Sequence, residues 1–495
     1  MEVKKFLSMF LLAATSAGIT SCGGTEVEDE PKDPTEVDPM TYFVVGEDYK
    51  TLPTVTSDYT NGFYDSFESF NKDNWYVGKG YWGSNNGGVS PRNVHLTDNG
   101  ELAIRGTGLH YARGDLQGYG NFTDGRNVGG TIVSKFLTGP GHYEVKMKVL
   151  PRTGACTAFW TYTYRTNESG AADNHEIDVE LPGGIKSGKV TFKKALNTNW
   201  ITEADSNSVE YAIEDVNQDA DYVAYNDGEY HTFGFDWYTD PGVVVYFCDG
   251  KITNVSNVFV PSLQTRITLG CWFPPSLVGS ANFESDYMFV DYVEYTPFKD
   301  QPFEEFNADP GQVSEVESDY NITPITIEAA NKVSNGDFEY AKNYTSTGED
   351  LIKELSTKGW TFTRVVSEEK PVSEVCRVVK GAGTGSDDLY AAVISDGGVL
   401  RQDIDSVYDN YKFKLSFDAK SLIDTEDAQF RLNFLGSSTG DVLAQNVINI
   451  KGSDFSNYTK EFTAPVGTES IRIEVRSGTG NTVTVDNINL EFLGA

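Results

Sequence analysis

Cysteine, histidine and methionine are all scarce in this chain, with five of each among 495 residues. The cysteines stand at positions 22, 156, 248, 271 and 376 without any Cys-x-x-Cys spacing, and the histidines do not cluster. That argues against a zinc site. A disulfide such as Cys248 with Cys271 is permitted in an exported protein, but the spacing does not decide it. Basic residues are also few. With 39 Lys and Arg against 73 Asp and Glu, the formal net charge of −34 repels phosphate backbones, so no nucleic-acid partner is expected. The same acidity argues against sulfated or uronic polysaccharides. Beyond the N-terminus no segment is apolar for the ~20 residues that a transmembrane helix needs. Helical periodicity is rare, and no repeat relates the two halves.

What the chain has is alternation. In GHYEVKMKVL, Tyr143, Val145, Met147 and Val149 alternate with Glu144, Lys146 and Lys148. VVVYFCDG, YMFVDYVEY, YKFKLSFDAK, SIRIEVR and TVTVDNINLEF read as strands in the same way. The fold class is therefore all-β. The length exceeds one comfortable core, so two domains are expected: residues 59–298, a 299–330 linker rich in acids and prolines, and a smaller β-sandwich over 331–495. At the other end, Lys4 and Lys5 precede an apolar run too short to span a bilayer, which marks residues 1–21 as an export signal. Ile19-Thr20-Ser21-Cys22 resembles the lipobox of bacterial lipoproteins, which makes Cys22 the lipidated residue. Charge and prolines then make 22–58 a flexible acidic tether. Localisation at the outer membrane or cell surface follows, with a lipid anchor as the sole membrane contact.

The stretch NHEIDVELPGG places Glu176, Asp178 and Glu180 at every second position. On a strand these three share one face, while His175, Ile177 and Val179 share the other. His175 is accordingly read as a packing residue. Glutamates leaning inward from the two ends of such a row can bring their carboxyl groups to about 5–5.5 Å, the separation a retaining glycosidase requires. Three carboxylates this close cannot all ionise at modest cost, so at least one proton is retained and the group titrates as a coupled system.

EIDVE resembles the signature of glycoside hydrolase family 16, and other segments match in order across roughly residues 60–298. GHYEVKMKVLPRTGACTAFW is similar to the strand and Phe-Trp pair before the catalytic strand, HTFGFDWYTDPGVVVYFCDG to the His…Trp…Asp-Gly segment, and MFVDYVEY to the closing strand. The resemblance implies a β-jelly-roll with a concave cleft and an endo-acting, retaining hydrolase of β-linked polysaccharides. It implies Glu176 as nucleophile, Glu180 as general acid/base and Asp178 as the residue hydrogen-bonding between them. With no extra residue between Asp178 and Glu180, the strand matches the regular form of lichenases and plant xyloglucan enzymes. His175 and Leu181-Pro182-Gly183 depart from the lichenase pattern.

For substrate, β-1,3 or mixed-linkage β-1,3/1,4-glucan leads. β-Galactans, host mucin O-glycans among them, are the rival, and a non-catalytic surface glycan-binding lipoprotein is the competing class. Trp160, Trp272, Trp82 and Asn93 are the candidate sugar contacts, with Trp75 and Arg92 as weaker ones, because aromatic faces stack on sugars while a few polar groups fix orientation. No cofactor is required. A structural calcium ion, seen in some relatives, is compatible with the reading, and the protein is expected to be a monomer. NGDFE, Gly359-Trp360 and VDNINLEF in the C-terminal part resemble carbohydrate-binding modules of the family 4/9 type, also β-sandwiches; the default role of Trp360 there is core packing.

Overall fold

A computed structural model of the chain describes residues 41–42, 50–51, 55–80, 88–111, 127–166, 169–184, 194–212, 225–306 and 315–494, apart from 318–319, 323, 328, 366–369, 386–388, 406, 408–409 and 437–440. The 1–21 segment, Cys22 and Trp82 lie outside the described residues. Alternation in the sequence becomes alternation in burial. Along Gly141–Lys148, Tyr143, Val145 and Met147 are buried, whereas His142, Glu144, Lys146 and Lys148 are half-buried on the other face.

The chain is all-β. Its first sandwich stacks two sheets. One has eight strands in the order Ser206–Ala212, Lys194–Thr202, Ala172–Pro182, Cys156–Thr166, Arg266–Trp272, Gly130–Ser134, Trp75–Lys79 and Glu315–Glu317, every neighbour antiparallel. The other is built around His231–Thr239, Gly141–Lys148, Ser285–Pro297 and Leu102–Thr107. Between them lies a core in which Phe159, Ile177, Val179, Leu181, Ile267 and Leu269 of the first sheet meet Tyr143, Val145, Met147, Phe233, Phe235 and Trp237 of the second. Each such side chain, when fully buried, contributes about 1.5–3 kcal/mol. That anchors the acid-bearing strand from behind.

The second sandwich stacks two five-stranded sheets on a separate core that includes Trp360, Phe417, Phe430, Ile473, Val485 and Leu490. Trp360 is fully buried and its indole N–H donates to the Asn335 carbonyl at 2.9 Å, a core role. No helix among the described residues is long and apolar enough to cross a membrane.

Three expectations change. The stretch 299–330 is not a free linker where it is described. Glu315–Glu317 adds an edge strand beside Trp75–Lys79, Pro324–Ile325 pairs with Val94–Thr97, and Tyr320 and Ile322 pack on the first core. Trp75 is no cleft residue: it is buried among Phe63, Phe67 and Phe136, with its indole N–H donated to Asp65 at 2.8 Å. Finally, Cys156, Cys248, Cys271 and Cys376 are all buried and none is in a disulfide, so the permitted Cys248–Cys271 bridge does not form.

Candidate active site

Pairing between Ala172–Pro182 and Cys156–Thr166 runs without a break, so the two-residue period of side chains is kept along the whole acid strand. Ile177, Val179 and Leu181 enter the core. Asn174, Glu176, Asp178 and Glu180 take the other face, where Tyr164, Tyr162, Trp160 and Ala158 are their register partners on the neighbouring strand. On the other side Trp200, Thr198 and Leu196 stand opposite Glu176, Asp178 and Glu180. Trp272 joins the same face from the next strand over, opposite Cys156.

A pocket of ≈ 160 Å³ results, lined by Ala158, Trp160, Glu176, Asp178, Glu180, Trp200 and Trp272. The structure thus brings together the three acids and two of the expected tryptophans. Trp160 belongs to a small aromatic cluster with Tyr162, Tyr164 and Trp272 on this face, separate from the main core. Asn93 does not join them. It is fully buried, its amide donates to the carbonyls of Val128 (3.1 Å) and Gly129 (2.9 Å), and its oxygen accepts from Arg105 Nε at 2.9 Å. Its hydrogen-bonding capacity serves the fold, which corrects the expectation of a sugar contact. Arg92, beside it, is exposed. His175 lies on the core side, as alternation places it. Its Nδ1 accepts the backbone N–H groups of Ser262 (2.9 Å) and Leu263 (3.3 Å), and burial lowers its pKa to about 4.

The acids are buried to different extents and held by different donors. Glu176 and Asp178 are only 6% and 7% exposed, and Glu180 is half-buried. Burial, then the charges of Glu176 and Glu180, hold the Asp178 carboxyl well above the usual range, while the Trp200 indole N–H, donating at 2.9 Å, pulls the other way. Glu180 is raised to about 8 by burial and then by Glu176, against a hydrogen bond from the Trp272 indole. At neutral pH Glu180 therefore keeps its proton. Glu176 accepts a hydrogen bond from the Asn174 amide at 3.1 Å and shares one with Asp178. A protonated acid beside a second carboxyl group that is positioned by an amide can donate a proton and attack an electrophile in one site.

Sequence reasoning missed Asn174 and Trp200. One more step of alternation before Glu176 reaches Asn174, so that signal was present. Trp200 carried none, because only the pairing of Lys194–Thr202 with the acid strand brings it there. Among the described residues, no group of three or more His, Cys, Asp or Glu side chains is arranged to hold a metal ion.

Comparison with known proteins places this pocket in context. The family described as Glycosyl hydrolases family 16 matches residues 91–273, a span that contains the whole acid strand. The Beta-glucanase of Bacillus subtilis (strain 168) is 28% identical over 254 residues, covering 50% of this chain and 91% of its own. The Beta-glucanase of Paenibacillus macerans is 27% identical over 245 residues, covering 47% and 87%. The solved structure of Bacillus licheniformis beta-glucanase covers 47% of this chain and 97% of its own at 22% identity, with a TM-score of 0.38. Residues 91–273 form a glycosyl hydrolase family 16 domain, and the chain that carries it is a glycoside hydrolase.

Proposed function

We propose that the chain is a retaining, endo-acting β-glucanase whose substrate is a β-1,3 or mixed-linkage β-1,3/1,4-glucan, held at the outer membrane or cell surface by a lipid on Cys22. The observation that carries this reading is the division of labour within the acid row: Glu180 holds a proton near neutrality, and Glu176 is aligned by Asn174 and Asp178. In the first step the Glu176 carboxylate bonds to the anomeric carbon as the glycosidic bond breaks, and Glu180 gives its proton to the departing sugar oxygen. Asp178, protonated and fixed by Trp200, donates to Glu176 and tempers its charge before attack. In the second step Glu180, now a carboxylate, takes a proton from water, whose oxygen displaces Glu176 from the anomeric carbon. Trp160 and Trp272 supply flat faces for the rings on either side. The substrate class is supported by the two relatives named as beta-glucanases, which align over most of their own lengths.

Digestion of laminarin, lichenan, xyloglucan, agarose, keratan and mucin glycans, followed by product chromatography, tests the substrate. Oligosaccharides of several lengths from laminarin or lichenan are the expected result. Activity confined to galactose-containing chains would replace the glucan reading with the galactanase one, and binding without any release of reducing ends would favour a non-catalytic glycan-binding protein.

A further inference from the structure

The acid strand ends at Pro182, and the residues that hold that end are themselves held by the second sandwich. Gly183 stands three residues after Glu180, and it is held from both sides. On one side, the Gly183 carbonyl accepts the side-chain amide of Asn226 at 2.8 Å, and the Pro182 carbonyl accepts the Tyr225 hydroxyl at 2.9 Å. The backbone carbonyl of Asn226 in turn accepts the hydroxyl of Tyr411 at 2.7 Å, and Tyr411 belongs to the second core, packed against Phe413 and Phe492. On the other side, the Gly183 N–H donates to the Ala155 carbonyl, and the Ala155 N–H donates in turn to the Arg152 carbonyl. Arg152 is buried, and its guanidinium donates to the carbonyls of Asn331 (2.8 Å) and Lys332 (3.3 Å) and to Asp286 (2.7 Å).

We propose that the second sandwich is a positioning element of the hydrolytic site: Tyr411 acting through Asn226, and the Asn331–Lys332 backbone acting through Arg152, fix the end of the acid strand and so the place of Glu180 over the scissile oxygen. This rests on the reading of Glu180 as the proton donor. Two separate chains of contacts lead to one glycine, one from Tyr411 through Asn226 and one from Lys332 through Arg152 and Ala155, and the bonds that Tyr411 and the Lys332 carbonyl make are buried, where an unmade hydrogen bond is most costly. A module merely tethered to a hydrolase would have no reason to hold the residues that fix the end of the acid strand. Tyr411 and Asn226 are thus positioning residues, acting on Glu180 through Gly183 and touching no substrate.

The test uses the full-length protein and two kinds of substrate. Tyr411→Phe removes one hydroxyl and keeps the ring in its aromatic packing, so the variant retains its core. If the hydroxyl positions the acid, kcat falls about tenfold on polysaccharide and on aryl oligoglucosides with poor leaving groups, with KM little changed. A dinitrophenyl glycoside departs without protonation and is spared. Asn226→Ala gives the same leaving-group dependence, and the double variant is no worse than the more affected single one, because both act through one chain of contacts. An equal loss on both substrate kinds, or none on either, would overturn the proposal. Glu180→Gln is the control that separates the two levels. Should it lack leaving-group dependence, the assignment of Glu180 itself fails; should it show that dependence while Tyr411→Phe does not, only the positioning role fails.

Discussion

Glu180 owes its retained proton to burial and to Glu176, and the indole of Trp272 opposes both. The direction of a pH effect follows. Hydrolysis needs Glu180 protonated, so kcat/KM is expected to fall as pH rises through about 8. Trp272→Phe keeps an aromatic face but removes the hydrogen bond that favours the ionised form, so the alkaline limb of the profile moves to higher pH. Initial rates of reducing-end release between pH 5 and 10 check this, and a limb unmoved in Trp272→Phe contradicts it. Much of this chemistry was legible in the sequence, because a strict two-residue period puts Glu176, Asp178 and Glu180 on one face whatever the rest of the fold does. The donors were less legible. Trp200 and Trp272 reach the acids from other strands, and Asn93 resembled a surface sugar contact until its amide was seen to be used up by Val128, Gly129 and Arg105.

Strands with long alternating runs, such as Gly141–Lys148 and Lys412–Ser421, announced themselves in the sequence because one face of each is buried. Two- and three-residue strands cannot. Glu315–Glu317 and Pro324–Ile325 lie in an acidic, proline-bearing stretch with no pattern to read, and tertiary contacts alone recruit them to sheet edges. The LPGG turn after the acids carried a signal of a different kind. A Cβ on Gly183 would lie 2.0 Å from the Leu150 carbonyl oxygen and 2.7 Å from backbone atoms of Arg152, so no larger residue fits without moving the strand end. Gly183→Ala is therefore expected to cost about 1–3 kcal/mol of stability. It should also reduce kcat on polysaccharide more than it changes KM. Thermal unfolding and steady-state kinetics on the same preparation measure both, and a variant with unaltered kcat would show that Glu180 tolerates displacement of this turn.

For the whole molecule, the junction between the sandwiches is held by a buried ionic cluster as well as by backbone contacts. Asp286 accepts from Arg152 Nε at 2.7 Å and from Lys332 Nζ at 2.9 Å, and all three side chains are buried. Burial alone would raise the Asp286 pKa, but Lys332 and Arg152 outweigh it and hold the carboxyl below its ordinary value. Its stabilising contribution is therefore present above the ordinary carboxylate range and is lost as pH falls through the depressed pKa. Asp286→Ala leaves two buried cations unbalanced, and a loss of about 3–5 kcal/mol is expected in denaturant unfolding followed by tryptophan fluorescence. Little or no loss would mean that water reaches the junction and screens the pair. Two cores were foreseeable from length and alternation; this junction was not, because Arg152, Asp286 and Lys332 are far apart in sequence and none belongs to a recognisable motif. The central claim concerns the reaction itself, a double displacement at one anomeric carbon. NMR spectroscopy of the first minutes of laminarin or lichenan hydrolysis, before mutarotation mixes the anomers, tests it most directly. The β-anomer should appear first and the α-anomer grow in later; an initial α-product would mean inversion and remove Glu176 from its role as nucleophile.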